Sequence, residues 1–469
     1  MAFLLKLDWI FLVLLSVLTR LLPFLIYGQN PLGYDTGFYR HYIIQSFTSI
    51  PNHATAGLTA NATVPRIILD TLRALGLPTD LILYGTLIIA FTGSVLALRF
   101  IIKKFYGKEA GFISGLLFIF SGVQQTGYWF FLLKNYIALT FLFLFLYQLK
   151  RFLDQPNLLE KFKPFSFSIK ELFLLFFPAA LVFLSHKTTS VILIVSLFFA
   201  LAIFLLQKFW HKLNPFTAIT SSIIIIAALI KITLWQNLHP QPPAIFLEWP
   251  QFLSLTAPIL LILLLNLKNL KYKIAENPLF PLFLTGNLFT LLEWTFYQRI
   301  FLFLDLTLIA FAAEGFSLIK NNYTQNSYNK KITTIVVLAL FTGYYLGNFY
   351  LTVKKYSPII TKEEITEIKN LDNIAEKNST ILTVSDYTPW IHGFSHRQVM
   401  SPGLLEYNYN LADWQKFWFE MNQTEKINFL KVFPKPLYFF TIPYSNDNFI
   451  DATCVKEKTK YLRSFECSD

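Results

Sequence analysis

Residues 7–42 read LDWIFLVLLSVLTRLLPFLIYGQNPLGYDTGFYRHY, and this stretch contains the features that decide the fold. Its first part, residues 7–27, is an apolar run that as a helix is long enough to cross the ~30 Å hydrocarbon core of a bilayer. The run is too long for a signal peptide, contains Arg20 and lacks a small-residue cleavage site, so we expect it to be retained. The segment after it is aromatic and polar and contains Asp35. We therefore expect a membrane span followed by an outer loop.

The composition extends this interpretation to the rest of the chain. Of the 469 residues, 54% are hydrophobic and 14% are charged, whereas about 25% are charged in an ordinary soluble domain. This excludes a disordered, fibrous or water-soluble single-domain protein and indicates a polytopic membrane protein. Eleven apolar runs predict spans at residues 7–27, 79–102, 109–124, 130–149, 171–186, 188–206, 217–236, 252–267, 279–294, 299–319 and 332–350.

Lysine and arginine in the short loops give the orientation. Seventeen lie on one side of the predicted spans, and five lie on the other, namely Arg40, Arg66, Arg73, Lys187 and Arg299. Because basic loops stay in the cytoplasm, this bias predicts a cytoplasmic N-terminus. An odd number of spans then places the C-terminal segment outside. The membrane topology explains the basic net charge, so we expect no nucleic-acid partner.

The domain organisation follows from this topology. We expect a transmembrane domain of residues 1–350 and a C-terminal extracytoplasmic domain of residues 351–469. Within the first outer loop, residues 28–78, two stretches at 33–42 and 64–75 are typical of helices lying at the membrane interface.

The C-terminal segment has the pattern of a small α/β domain. Thr361 and Glu364 form a capping box that predicts a helix to about residue 377. Apolar β-branched runs follow at 380–384 and 437–442, with helical patterns around 411–431. The predicted fold class is an all-α polytopic membrane protein of about 11 transmembrane helices with a small C-terminal α/β domain outside the membrane.

Ionisable residues at the outer ends of the predicted spans are the candidates for a site, because each costs roughly 2.5–3.5 kcal/mol to insert. The basic ones are Arg20, Lys134, His186, Lys187, Lys231 and Arg299, and the acids Glu248 and Glu293 lie at the same level. Snorkelling, a polar turn at His186, or pairing of Arg299 with Glu293 or Asp305 explains single residues. A basic cluster at one depth is better explained by an anionic group such as phosphate.

Asp35 is the best single candidate for chemistry. It stands between Gly33-Tyr34 and Thr36-Gly37 at the start of a predicted helix, where it is also a good N-cap. The positive end of a helix keeps a carboxylate ionised, which suits a general base or a metal ligand better than a general acid. The two roles are compatible, and a cap without catalysis stays open.

These residues give the sequence a resemblance to the GT-C superfamily, polytopic glycosyltransferases that use lipid-phosphate-linked sugars and include protein mannosyltransferases and oligosaccharyltransferases. The similar features are Arg20 in the first span, Gly33-Tyr34-Asp35 opening the outer loop, its two interfacial helices, Lys134-Asn135 at the fourth span and the outer C-terminal domain. Residues 382–397 are similar to the strand-then-Asp-Tyr region of oligosaccharyltransferases, but the paired Trp and the Gly of that motif are absent.

The resemblance implies an inverting glycosyltransferase that acts outside the cytoplasmic membrane with Asp35 as the general base. The phosphate of a polyprenyl-phosphate sugar donor would be held by Arg299, Lys187, His186, Lys134 and Arg20, with Arg40, Glu248 and Glu293 as accessory residues. His186 could instead be a proton relay, since the pKa of histidine lies near working pH. The acceptor, a glycan, lipid or protein, stays open, and membrane lipids are the other partners.

A divalent metal is not favoured as a cofactor. Metal-dependent members of the family place acids in the second outer loop, whereas residues 123–129 contain none. A metal therefore stays open but is not expected.

Two rival functions stay open. A transporter or lipid flippase would place its charges near the midplane and break helices in paired positions. A non-catalytic scaffold would pair its charges only with each other.

Cys454 and Cys467 are the only cysteines. Both lie in the segment predicted to be outside, where disulfides persist. The residues between them could form a hairpin that brings the two thiols together, so we expect a disulfide; two free thiols near a frayed terminus are the alternative.

Overall fold

The computed structural model describes residues 8–28, 32–33, 35–45, 62–155, 168–209, 246–293, 297–325, 328–401, 409–440 and 454–467. These residues group into two compact units. The first comprises those within Met1–Leu22, Asn61–Pro65 and Leu87–Tyr356, and the second those within Pro23–Ala60, Arg66–Thr86 and Ser357–Asp469. The second unit thus combines part of the first predicted outer loop with the C-terminal segment.

Helices form nearly all of the described residues up to residue 356. Over the described residues they are α1 (Asp8–Tyr27), α2 (Thr36–Gln45), α3 (Thr63–Ala74), α4 (Thr79–Tyr106), α5 (Lys108–Ile119), α6 (Gly122–Trp129), α7 (Leu133–Leu153), α8 (Ile169–Phe183), α9 (Lys187–Phe209), α10 (Trp249–Glu276), α11 (Phe280–Leu291), α12 (Tyr297–Gln325) and α13 (Tyr328–Lys355). Their apolar composition is that of a multi-pass membrane protein.

Four helices within the described ranges are long and apolar enough to cross a membrane. They are Asp8–Tyr27, Thr79–Tyr106, Leu133–Leu153 and Lys187–Leu205, and shorter apolar helices occur at Trp249–Leu264 and Phe280–Leu291. The last has 12 residues. A helix of that length rises only ~18 Å and does not cross a bilayer by itself. The predicted span at 217–236, which contains Lys231, lies outside the described residues.

The prediction of one span at 109–124 was wrong. Helix α5 ends at Ile119, and α6 begins at Gly122. Ser121 caps α6 by accepting a hydrogen bond from the Gln124 amide at 3.2 Å, so the apolar run is cut into two helices. Residues 123–129, which were expected to be an outer loop, are therefore helical and almost entirely buried.

Polar contacts join α1 to α4 in the first unit. The Arg99 guanidinium pairs with the buried Asp8 carboxylate, with one N–O distance of 3.1 Å. Further along the same pair of helices, the Ser16 and Thr92 hydroxyls lie 2.9 Å apart. These polar groups are removed from water. The contacts between them offset the free-energy cost of that desolvation.

The C-terminal part of the second unit contains a five-stranded mixed sheet. Its elements are α14 (Lys362–Ile374), β1 (Thr380–Leu382), α15 (Thr388–Phe394), β2 (Gln398–Met400), α16 (Leu411–Phe419), α17 (Gln423–Lys431), β3 (Leu437–Phe440), β4 (Val455–Glu457) and β5 (Leu462–Phe465). The strand order is β2-β1-β3-β5-β4, with β1 parallel to β2 and β3, and β5 antiparallel to β3 and β4.

Local signals explain the boundaries of these elements. The capping box of Thr361 and Glu364 forms as predicted, although α14 ends at Ile374. One face of the sheet packs against α16 and α17 through Trp414, Phe417 and Phe429. Cys454 and Cys467 form a disulfide that closes the β4–β5 hairpin beside this core.

Candidate functional site

Asp35 directly precedes α2 in the second unit. Its carbonyl accepts a hydrogen bond from the Tyr39 amide at 3.1 Å, which is the first hydrogen bond of the helix, and Asp35 is half-buried. Asp35 thus occupies the N-cap position, where helix-end amides favour a negative charge. Asp35 is thus partly accessible, and its backbone is fixed by a regular helix; a general base needs to be within reach of its substrate and held in position.

The first turns of α2 pack directly on α15, the short helix after β1, which belongs to the same unit. A Cβ atom at Gly37 would overlap the Pro389 carbonyl and lie 2.9 Å from the Trp390 amide nitrogen. A Cβ atom at Gly393 would overlap the Gly37 carbonyl. The two backbones therefore touch, and only glycine fits at both positions.

Arg40 and His41 hold the same contact from the α2 side. The Arg40 guanidinium donates to the Gly393 carbonyl at 2.7 Å and lies 4.1 Å from the ring centre of Phe394. The His41 ring stacks on the His392 ring at 3.6 Å between centroids, and its Nδ1 donates to the His392 carbonyl at 2.8 Å. Burial lowers the pKa of His41 and brings that of His392 to about 3, so both rings are neutral at neutral pH.

Three of the predicted phosphate ligands lie together in the first unit. His186 is buried in the turn before α9, Lys134 is buried at the start of α7, and Arg299 is half-buried at the start of α12. Lys134 and Arg299 are close enough to His186 for their positive charges to act on its ring. These two charges therefore act on one region, and their sign favours an anion.

The structure fixes the orientation of the His186 ring, and the proton-relay hypothesis stays a prediction. The Nδ1 atom of this ring lies 2.9 Å from the Thr189 hydroxyl, which fixes the ring.

A strained turn places Lys134. Phe131 lies between α6 and α7 with a φ of 60°, a left-handed conformation that is an outlier for a bulky residue. Its carbonyl accepts a hydrogen bond from the Leu133 amide at 2.7 Å, and the Phe131 side chain is fully buried. Strain of this kind costs about 1–3 kcal/mol and persists only where the surrounding packing enforces it, often at functional sites.

Other predicted ligands lie in different surroundings. Lys187, the first residue of α9, is exposed, as are Glu248 and Glu293. Glu293 follows α11 in a left-handed conformation with a φ of 51°. Exposed charges are screened by water, so these three residues are weaker candidates than the buried Lys134.

Arg20 is fully buried in a cage of aromatic rings. Its guanidinium carbon lies 4.1 Å from the ring centre of Phe91, 5.3 Å from that of Tyr128 and 5.5 Å from that of Phe349. One guanidinium nitrogen donates to the Ile119 carbonyl. Cation–π contacts and a backbone acceptor thus surround the charge, which ties α1 to the end of α5.

Sequence reasoning missed two groups of polar residues. The buried Asp305 carboxylate accepts hydrogen bonds from the Ser121 hydroxyl at 2.7 Å and from the side-chain amide nitrogen of Gln124 at 2.9 Å. The sequence signal for this group was Asp305 itself, an aspartate within the apolar run at 299–319, which we considered only as a partner of Arg299. The contact of His41 with His392 had no signal, because 351 residues separate them.

No three His, Cys, Asp or Glu side chains are grouped to hold a metal ion in the part of the chain that the structure describes.

The chain is similar to known proteins in fold but not in sequence. No protein-family model matches the chain, and no curated protein matches it in sequence. Solved structures, however, do match the chain in fold. Oligosaccharyltransferase AglB from Archaeoglobus fulgidus, in complex with an inhibitory peptide and a dolichol-phosphate, matches with a TM-score of 0.58 and 10% identity over 92% of this chain and 69% of its own.

ArnT from Cupriavidus metallidurans also matches over almost its whole length. In the apo state the TM-score is 0.55 with 7% identity, covering 97% of each chain. Bound to undecaprenyl phosphate, ArnT matches with a TM-score of 0.55 and 8% identity, covering 98% of each chain. AglB and ArnT are GT-C glycosyltransferases, so the chain has the GT-C fold that its sequence resembles.

Proposed function

We propose that this protein is a membrane glycosyltransferase that transfers a sugar from a polyprenyl-phosphate-linked donor to an acceptor on the extracytoplasmic side. The observation that carries the proposal is that the positive charges of Lys134 and Arg299 act on the region of the buried His186. The fold supports it, since AglB and ArnT have been solved with dolichol-phosphate and undecaprenyl phosphate.

The cationic group would bind the donor phosphate. A sugar linked to a polyprenyl phosphate carries one negative charge at the bridging phosphate, and the released polyprenyl phosphate gains a second. Lys134 and Arg299 would therefore stabilise the leaving group more strongly than the donor, which lowers the barrier. His186 would donate a hydrogen bond from its ring to a phosphate oxygen.

Asp35 would serve as the general base. An acceptor hydroxyl attacks the anomeric carbon, the bond from that carbon to the phosphate oxygen breaks, and the Asp35 carboxylate takes the hydroxyl proton. One displacement of this kind inverts the anomeric configuration. Positioning and phosphate stabilisation would supply most of the rate, because phosphate is already a good leaving group.

The proposal includes a cytoplasmic N-terminus and an extracytoplasmic α/β domain formed by the C-terminal segment. The mechanism needs no metal ion, because Lys134 and Arg299 supply the positive charge that a cation would bring.

The test is incubation of the purified protein with a panel of polyprenyl-phosphate sugars and candidate acceptors. We expect release of free polyprenyl phosphate with one donor, and a glycosylated product of opposite anomeric configuration by NMR. Transport of a donor across vesicles without cleavage would instead indicate a flippase. A retained configuration would contradict the single displacement.

A further inference from the structure

The contact between α2 and α15 is set by backbone atoms and not by adaptable side chains. Gly37 lies against Pro389 and the Trp390 amide, and Gly393 lies against Gly37 itself. Backbone-to-backbone contact leaves no side chain that could move to absorb a displacement. A methyl group at either glycine therefore has to push the two helices apart.

Asp35 is coupled to this contact through a short, regular piece of backbone. Gly37 is two residues after Asp35, and the intervening Thr36 is fully buried. The Thr36 amide donates to the Gly33 carbonyl at 3.2 Å, and the Asp35 carbonyl accepts from Tyr39 at 3.1 Å. A shift of Gly37 by the thickness of a methyl group therefore displaces the backbone that carries the Asp35 carboxylate.

Arg40 and His41 fix the remaining freedom of α2. Arg40 reaches the carbonyl of Gly393, and His41 reaches that of His392, so two successive carbonyls of α15 each accept a hydrogen bond from α2. Together with the glycine contact they determine both the distance and the rotation of α2 on α15.

We propose that α15, in the C-terminal segment, is the positioning element for the base Asp35. This inference rests on the proposed function and assigns Gly37, Gly393 and His41 as positioning residues for the transfer step. A general base has to reach the acceptor hydroxyl within hydrogen-bonding distance, and a misplacement of about 1 Å can reduce turnover about 100-fold. The C-terminal segment thus takes part in catalysis through the position of Asp35.

Gly393→Ala in the full chain tests the proposal, with Gly85→Ala as the matched control. A Cβ atom at Gly85 meets only the Leu81 side chain at 3.7 Å, an ordinary contact. We expect Gly393→Ala to lower kcat about 100-fold, with donor binding and KM for the donor within about twofold of wild type. Hydrogen exchange of the α2 amides should rise in Gly393→Ala and stay unchanged in Gly85→Ala.

If Gly393→Ala impairs folding, a less disruptive pair of variants at His41 tests the positioning role. His41→Asn keeps a donor near the place of Nδ1, whereas His41→Leu removes it. Positioning predicts that kcat falls in His41→Leu and is largely recovered in His41→Asn, with both melting temperatures compared directly. Equal kcat in both His41 variants, or loss confined to donor KM, would overturn the proposal.

The outcomes separate this inference from the proposed function. Wild-type turnover with an unimpaired kcat in Gly393→Ala refutes the positioning role and leaves the glycosyltransferase intact. Absence of turnover by wild type with every donor refutes the proposed function, and the positioning role fails with it.

Discussion

Removing the buried positive charge of Lys134 is expected to weaken binding of polyprenyl phosphate far more than removing the exposed charge of Lys187. Lys134 is 8% exposed, so a phosphate bound there exchanges water for a poorly solvated ammonium group. Hydrogen bonds to charged groups are worth about 1.5–3 kcal/mol, which corresponds to a 10- to 150-fold increase in Kd for Lys134→Met. Screened surface charges contribute about 0.2–1 kcal/mol, so Lys187→Met should change Kd less than about fivefold.

The assay is titration of purified protein in nanodiscs with polyprenyl phosphate, monitored by calorimetry. Methionine keeps most of the length of lysine, so the two variants differ mainly in where the charge was lost. Arg299→Met should fall between them, because Arg299 is half-buried. Equal, small effects at all three positions would refute a phosphate site and support snorkelling.

Three further predictions concern the base, the histidine pair and the disulfide. Asp35→Asn should abolish turnover with donor Kd and melting temperature nearly unchanged, because Asn also caps a helix; near-wild-type turnover would remove Asp35 from the mechanism. His392 has its pKa lowered from 6.5 to about 3, so the unfolded state binds more protons below pH 6.5 and stability falls as the pH drops through this range. For His392 alone, the free energy of unfolding should be about 2 kcal/mol lower at pH 5 than at pH 7.5. Thermal melts at these two pH values check this. A pH-independent melting temperature would contradict the burial of both rings. Alkylation without reduction should label neither Cys454 nor Cys467, and the Cys454→Ser, Cys467→Ser variant should lose roughly 3 kcal/mol for a loop of this size; full labelling before reduction would exclude the bridge.

Elements with a local signal could be predicted from the sequence. The capping box at Thr361 and Glu364 identified the start of α14, since both partners lie within one turn. The apolar run at 7–27 also carries a local signal, because its length and hydropathy are enough to predict a membrane-spanning helix. It corresponds to α1. The break at Ser121 was missed, because its single hydroxyl is hidden in an otherwise apolar run and decides the boundary only once it caps α6.

The surroundings of charged residues could not be predicted in this way. Lys134, Lys187 and Arg20 all looked like basic residues at one depth, but the structure buries the first, exposes the second and encloses the third in aromatic rings. These differences depend on helix packing, and burial changes the energy of a charge by several kcal/mol. Contacts across hundreds of residues, such as Gly37 with Gly393, leave no local pattern.

The central claim is that the chain transfers a sugar from a lipid phosphate with Asp35 as the base. The most direct measurement is a comparison of wild type and Asp35→Asn for release of free polyprenyl phosphate and for glycosylated acceptor, with donor binding measured on the same samples. The account predicts equal amounts of both products from wild type, and none from Asp35→Asn despite normal donor binding. Equal turnover by the two proteins, or donor binding without cleavage by wild type, would contradict it.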